Sequence, residues 1–184
     1  MKKKMVTRIA LLMLCLCLGL PAAVAETREG VIYLEGMAET IEETLFESPE
    51  GFSFWYASEG LAADFGKVDD REGVVVSNIY TDDYMLLAPI SEEEALEYTK
   101  DLEENIVEQS AESRVQVDVY LELNLEEGMF HFCSLIADGG TYLLAVGEYS
   151  MEAADGTGKY FQRVLDTVAW IDAPTEIVAP AVGE

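Results

Sequence analysis

The chain has 184 residues, half of them hydrophobic, and its 36 acidic residues against 11 basic ones give a formal net charge of −25. Because binding to a phosphate backbone depends on clustered Lys and Arg, this composition excludes nucleic acid as a partner and disfavours anionic lipids and polymers. A basic or neutral partner and dissolved cations are compatible with the charge, as is the simpler explanation that it keeps an exported domain soluble.

Residues 1–25 have the pattern of a secretory signal peptide. Four basic residues lie within the first eight positions, an apolar run follows over residues 9–20, and small residues lead to Ala25. The run is shorter than the roughly 20 apolar residues of a membrane-spanning helix, so we predict cleavage after Ala25, a secreted protein and no stable membrane insertion. The alternative is a leader that is retained as an anchor.

Export changes the charge and the cysteine content. Residues 26–184 keep 7 basic and all 36 acidic residues, a formal charge of −29. Cys133 is the one cysteine left in that part, so no intramolecular disulfide can form and the domain has to be held together by packing.

Three extended segments are predicted next, over residues 31–34, 37–46 and 51–57. Pro49 suits an early turn position and Gly51 a late one, so the second and third segments form a hairpin. The third segment reads Gly-Phe-Ser-Phe-Trp-Tyr-Ala and places large rings on both of its faces. This predicts a strand that is covered on both sides near the centre of a sheet.

The middle of the chain reads as loop, strand, turn, strand and helix. Residues 58–71 are predicted as a loop with a short helical turn, and strands follow from Gly73 and over residues 84–90. Pro89 indicates that the second strand stops there or lies at a sheet edge. Ser91 opens a capping box, Ser-Glu-Glu-Glu, and apolar residues at helical spacing extend this helix to about Ser110.

Residues 115–125 carry the clearest period of two in the chain. Val115, Val117, Val119, Leu121, Leu123 and Leu125 alternate with polar residues, which predicts one buried face and one wet face. Short turns then lead to strands over residues 129–137 and 141–149, a three-stranded meander. A final helix, starting at 151 or 157, is predicted to end at Trp170. The predicted domain covers residues 26–172, and residues 173–184 are a mobile tail.

The motif Ser-Pro-Glu-Gly-Phe-Ser-Phe-Trp-Tyr at residues 48–56, the capped helix in mid-chain, the hairpin-rich sheet and the closing helix resemble the PsbP/Mog1-like domain family, as in secreted proteins of Firmicutes. The resemblance covers residues 30–171, although Ala57 stands where that family usually has Pro. It implies an α+β fold, with a single antiparallel sheet of about six or seven strands flanked by two main helices in an α/β/α sandwich. The family's roles are diverse, so the resemblance implies no activity.

Standard catalytic and cofactor motifs are absent from the sequence, and no cofactor is predicted. His131 and Cys133 would share one face of a strand, which is compatible with a Cys–His nucleophile pair or with a packed interior; Met129 and Leu135 on the same face favour the packed interior. Carboxylates are too abundant for any pair to indicate catalysis.

Calcium is the metal that the acidic turns suggest. Asp69 and Asp70 lie in one loop and Asp82 and Asp83 in another, and carboxylates from both could hold Ca²⁺ if the loops met. Neither loop has the spacing of an EF-hand, so solvated turns are the preferred interpretation and no metal site is predicted.

We expect a non-enzymatic domain that binds a protein or small ligand outside the cell or at its surface. Aromatic side chains often line binding sites, so the candidate binding surface is aromatic. Its candidate residues are Trp55, Tyr56, Tyr80, Tyr84 and Trp170. Two alternatives stay open at this point: an enzyme with a site around His131 and Cys133 or a carboxylate pair, and a calcium-dependent surface module.

Overall fold

The computed structural model describes residues 25–102, 106–111 and 113–171. The predicted signal peptide, apart from Ala25, and the predicted tail lie outside the described residues. The α+β class is confirmed, but the single sheet between two helices is wrong: most of the described residues form strands in two antiparallel sheets.

Ten strands and three α-helices make up the described part of the chain. In chain order they are β1 Thr27–Leu34, β2 Met37–Glu47, β3 Phe52–Ala57, β4 Leu61–Val68, β5 Arg71–Asn78, β6 Tyr84–Ile90, α1 Glu92–Thr99, α2 Ile106–Ser110, β7 Val115–Asn124, β8 Met129–Asp138, β9 Thr141–Ser150, α3 Lys159–Thr167 and β10 Ala169–Trp170. A 3₁₀ turn, Met151–Ala153, and a π turn, Ala154–Gly158, lead into α3. Sheet A has the order β1-β2-β3-β10, and sheet B has the order β4-β5-β6-β9-β8-β7.

The aromatic segment forms β3, an inner strand of sheet A, and the predicted hairpin with β2 is confirmed. Gly51 closes the turn with a φ of +90°, a conformation that favours glycine. Phe52 and Phe54 are fully buried, whereas Trp55 on the other face is half-buried beneath the guanidinium of Arg28, 4.1 Å from the ring centroid. The strand is therefore an inner one, as predicted, but it is buried on one face and only half-buried on the other, where full cover was predicted.

The predicted loop over residues 58–71 is wrong for most of its length, because Leu61–Val68 form β4. This strand pairs with β5 from Leu61 opposite Asn78 to Val68 opposite Arg71. It lies at the edge of sheet B and exposes half of its residues, Phe65 among them, so its sequence shows no regular alternation. Pairing with β5 imposes the extended conformation that local pattern does not indicate.

Strand β6 has the predicted bounds, but it lies between β5 and β9, so an edge position for Pro89 is wrong. The pairing of β6 with β5 ends at Leu87, and Pro89 pairs with β9 alone. A proline is accepted there because one side of the backbone has already lost its partner strand.

Ser91 caps α1 as predicted, with its Oγ accepting a hydrogen bond from the Glu94 backbone N–H at 3.2 Å. One continuous helix to Ser110 is wrong, because α1 ends at Thr99 and a separate α2 begins at Ile106. The final helix likewise ends at Thr167 and not at Trp170. Trp170 instead pairs with Phe52 in β10 and packs edge-on against its ring at 6.2 Å.

The meander of β7, β8 and β9 is confirmed, but the continuous buried face of β7 is wrong. A bulge at Val119 shifts the register, so that Asp118 lies opposite Ser134 and Tyr120 opposite Cys133. Beyond the bulge, odd and even positions exchange faces. Leu121, Leu123 and Leu125 are consequently 59%, 39% and 79% exposed.

The core has two parts, one on each face of sheet B. The larger part joins the rings of β3 and the apolar residues of α3, among them Phe161 and Val164, to the inner face of sheet B. The smaller part lies under α1 and α2, where Ala95 and Ile106 pack on Leu135, Ala137 and Tyr142. None of the described helices has the length and apolar character needed to span a membrane.

Candidate functional site

The outer face of sheet B, on the side of α1 and α2, is only half covered. The register aligns residues across β6, β9, β8 and β7 in rows. Two rows lie on the side of the helices. The first consists of Ile90, Tyr142, Ala137 and Val115, and the second of Ala88, Leu144, Leu135 and Val117. The next two rows lie beyond α1 and form the candidate site.

We name these two rows by their chemistry. The apolar row consists of Leu86, Val146, Cys133 and Tyr120, and the polar row of Tyr84, Glu148, His131 and Glu122. A cleft of about 750 Å³, which we call the tyrosine cleft, opens above the apolar row. Its lining residues are Val68, Asp69, Asp70, Arg71, Glu72, Leu86, Glu94, Tyr98, Tyr120, Leu144 and Val146.

The bulge in β7 is what brings Tyr120 and Glu122 to this face. With regular pairing beyond Val117, Val119 and Leu121 would have followed on the helix side and Tyr120 on the core side. The extra residue reverses this order, so that Tyr120 lies opposite Cys133 and Glu122 opposite His131. Bulges are common beside functional sites because they redirect a side chain in this way.

An ion pair fixes the wall of the cleft between β5 and α1. Arg71 Nη2 donates to Glu94 Oε1 at 2.6 Å, and both side chains are partly exposed. Burial lowers the pKa of Arg71, but hydrogen bonds to Glu94 and Tyr98 outweigh burial and raise it above its ordinary value. Arg71 is therefore a permanent cation, and Glu94 already neutralises it.

The tyrosines beside the cleft stay protonated. Burial, with help from the nearby Cys133, Tyr98 and Glu122, raises the pKa of Tyr120. Burial and the charges of Glu148 and Asp69 raise the pKa of Tyr84 in the same direction. Neutral phenols offer a hydrogen-bond donor at one end and the face of an aromatic ring along their length.

The predicted Cys–His pair does not have the environment of a nucleophile. Cys133 is fully buried, and that burial raises the pKa of its thiol to about 11, despite a small opposing effect of Arg71. The His131 nitrogens face carboxylates instead, with Nδ1 3.4 Å from Glu148 Oε2 and Nε2 3.8 Å from Glu127 Oε2. A buried, protonated thiol is chemically inert.

The five predicted binding aromatics are distributed over both sheets, and no ring contact within the described residues joins any two of them. Trp55 lies under Arg28, while Tyr56 and Trp170 pack against the larger core. Tyr80 is 78% exposed in the turn after β5, where its hydroxyl donates to the Glu59 carbonyl at 3.1 Å. Tyr84 alone belongs to the rows described above, next to Leu86.

The two acidic turns do not form a calcium site. Asp69 and Asp70 precede β5 and line the tyrosine cleft, whereas Asp83 follows β5. Asp83 is itself buried, and its Oδ1 accepts a hydrogen bond from the Ser150 backbone N–H at 2.9 Å. No three His, Cys, Asp or Glu side chains are grouped to hold a metal in residues 25–102, 106–111 and 113–171.

Arg71, Tyr98 and Tyr120 were not identified as candidates from the sequence. Tyr120 carries the one available signal: it is an aromatic ring at a position that alternation places on the wet face, between Asp118 and Glu122. Tyr98 and Arg71 lie far from Tyr120 in sequence, and only the packing of α1 on sheet B brings the three together.

Comparison with known proteins gives only distant likeness. No protein-family model matches the chain, and no curated protein matches it. Among solved structures, it is similar to the solution structure of cyanobacterial PsbP from Synechocystis sp. PCC 6803, with a TM-score of 0.37 and 11% identity, over 82% of this chain and 95% of that one. At this distance the PsbP/Mog1-like resemblance stays a prediction, and the site has to be interpreted from its own residues.

Proposed function

We propose that this protein is an exported, non-enzymatic binding domain whose ligand lies in the tyrosine cleft. The observation that carries the proposal is the cleft on the outer face of sheet B, which Tyr98, Tyr120 and Val146 line and beneath which Leu86 and Leu144 are buried. Small-ligand sites are commonly clefts in which apolar and aromatic side chains lie beside polar groups, although five of the eleven residues around this cleft are charged.

The charges around the cleft favour a neutral or cationic ligand. Asp69, Asp70, Glu72 and Glu94 line it, against the single cation Arg71, which Glu94 already pairs. Tyrosine ring faces attract cations as well, by about 0.5–2 kcal/mol each. The ligand we propose is therefore amphiphilic, with a hydrocarbon part on the floor and an ammonium or neutral polar head towards the acidic rim.

We propose binding without catalysis because of the side chains that lie at and beside the cleft. The thiol of Cys133 is buried and protonated, and both nitrogens of His131 face glutamates. What the cleft offers is shape, aromatic faces and negative charge, which are means of binding.

Three benzyl compounds of different charge test this proposal: benzyltrimethylammonium, benzyl alcohol and benzoate, titrated into residues 26–184 and followed by saturation-transfer NMR. We expect the cation to bind at least about tenfold more tightly than the anion, because cation–π attraction and the acidic rim act together. Equal affinities for the cation and the anion would overturn the proposal.

Variants localise the effect. Tyr98→Ala should abolish the preference for the cation, while Tyr33→Ala, which removes a ring that is 65% exposed on β1, should leave it unchanged. Loss of the preference in both variants, or in neither, would place the binding elsewhere. Export is tested separately, by N-terminal sequencing of the protein recovered from the medium, with Glu26 as the expected first residue.

A further inference from the structure

We infer that the edge of β7 docks an extended peptide segment of a partner, whose side chains alternate between apolar and basic. The segment would add a seventh strand to sheet B. This surface adjoins the tyrosine cleft, with which it shares Tyr120, but it consists of the free backbone edge and the exposed leucines of β7, so the two proposals are tested with different probes and variants.

The edge itself is the first observation. Strand β7 ends the order of sheet B and pairs with β8 alone. Its ten residues therefore present one row of backbone N–H and C=O groups that no strand among the described residues satisfies. Such an edge is a template for another strand.

The side chains of β7 carry only part of the protection that edge strands usually have: there is a bulge at Val119 and there are two carboxylates, Asp118 and Glu122, but no Lys and no Pro. The four consecutive residues from Tyr120 to Leu123 are exposed. Leu121, Leu123 and the following Leu125 have exposed fractions of 59%, 39% and 79%. Lysine or proline commonly blocks an exposed edge, and residues 115–128 contain neither. Exposing a row of leucines to water is unfavourable in free energy, and a docked strand would bury part of this apolar surface.

The two faces of this edge specify the partner. Beyond the bulge, Leu121 and Leu123 project on the side of the larger core, opposite Phe132 and Phe130. Tyr120 and Glu122 project on the other side, so an added strand would meet leucines on one face and an aromatic ring and a carboxylate on the other. Alternating apolar and basic residues match that pattern.

Charge decides between a partner and a second copy of this chain. Residues 115–128 contain Asp118, Glu122, Glu126 and Glu127 and no Lys or Arg, and residues 26–184 carry a formal charge of −29. Pairing two such edges would place like charges together, which destabilises a sheet. A cationic strand gains from the same charges.

The probe is a seven-residue synthetic peptide of alternating lysine and valine, capped at both ends and titrated into residues 26–184 by NMR. We expect shifted amide signals along β7 and slower amide exchange on its free edge. A peptide of alternating glutamate and valine is the control for charge, and a peptide with lysines and valines in separate blocks is the control for spacing. Neither should bind.

Backbone pairing has its own test. In two further peptides, alternate amide nitrogens are methylated, in the odd register in one and in the even register in the other. A strand uses one register against β7 and leaves the other free, so one peptide should lose binding and the other keep it. Equal effects of the two peptides would overturn the inference.

Leu121→Lys should weaken binding of the lysine–valine peptide at least about tenfold, since it removes an apolar contact and adds a repelling charge. Leu96→Lys is the matched control, because Leu96 is also exposed, at 45%, but lies on α1. The cleft variant Tyr98→Ala should bind the peptide normally, which separates this site from the proposed function. Three outcomes would overturn the inference. The absence of binding would mean that the edge has no such partner, and binding only after residues 172–184 are deleted would assign the edge to the chain's own tail. A dimer that Leu121→Lys dissociates would assign it to a second copy.

Discussion

Arg163 and Glu43 join α3 to sheet A through two hydrogen bonds, from Arg163 Nε to Glu43 Oε1 at 2.7 Å and from Nη2 to Oε2 at 3.2 Å. Arg28 donates to the same carboxylate at 2.8 Å. Glu43 is fully buried, and its carboxylate fills the space above Gly30, where any Cβ would clash with it. A fully buried acid with two arginines is a costly arrangement unless every bond is made.

Glu43→Ala should therefore destabilise the protein by about 3 kcal/mol, the lower end of what breaking a buried ion pair costs. The low end applies because the side chains of Arg163 and Arg28 are 29% and 38% exposed, so water replaces part of what they lose. The measurement is urea unfolding of residues 26–184. Glu42→Ala, an exposed neighbour on β2, serves as the control and should change the unfolding free energy by no more than about 0.5 kcal/mol.

The pH dependence of stability should carry the signature of this carboxylate. Burial raises the pKa of Glu43, but the hydrogen bonds and charges of Arg163 and Arg28 outweigh burial and lower the pKa below its ordinary value of 4.5. A lowered acid pKa adds stability above the unfolded pKa, and this stability is lost as the pH falls through the folded pKa. The advantage of the native protein over Glu43→Gln should thus be full near neutral pH and shrink below about pH 4.5.

Comparing these two proteins cancels the titration of the other carboxylates, whose mutual repulsion is relieved by acid. Unfolding free energies are measured for both between about pH 7 and about pH 3. A difference that stays constant over this range would show that Glu43 is not held ionised by its arginines.

Thr167 is expected to stabilise the free edge of β3. Its Oγ1 accepts a hydrogen bond from the Trp55 backbone N–H at 3.0 Å, at the point where β10 no longer covers that edge. Thr167→Val leaves this N–H unsatisfied and should cost about 1–3 kcal/mol of unfolding free energy, with faster exchange of the Trp55 amide. Thr167→Ser should restore most of the loss, whereas Thr40→Val on exposed β2 should have little effect. Unchanged Trp55 exchange in Thr167→Val would contradict the assignment.

Cys133 should be unreactive in the folded protein. With a thiol pKa of about 11, only about 0.1% is thiolate near pH 8, and the sulfur is also inaccessible. Labelling by a maleimide should be slower by at least about a thousandfold than in urea-unfolded protein, where an ordinary thiol is exposed. Comparable rates in the two states would revive the hypothesis of a cysteine nucleophile.

The sequence predicts most of the strands and little of the site. Alternation and turn residues locate β7 and β6 because each has one strongly patterned face or a clear turn before it. Strand β4, Leu61–Val68, could not be predicted in this way, because an edge strand that exposes half its residues has no such pattern. The number of sheets is also hidden, since it depends on two consecutive strands, β3 and β4, pairing with different partners, β3 with β2 and β10 and β4 with β5.

The bulge at Val119 explains why the site itself could not be predicted. The sequence alternates without interruption from Val115 to Leu125, and nothing in it marks where the pairing with β8 slips by one residue. That slip places Tyr120 beside Cys133 and exposes Leu121, so both proposed surfaces depend on a feature of strand pairing. The ring of Tyr98 then joins them only through the packing of α1.

The most direct test of the account is chemical-shift mapping of ¹⁵N-labelled residues 26–184 with benzyltrimethylammonium, against sodium chloride at equal ionic strength. The account predicts that the largest shifts fall on Arg71, Tyr98, Tyr120 and Val146, the residues around the tyrosine cleft. Shifts that are scattered over the acidic surface, or centred on the β1–β2 hairpin, would contradict it.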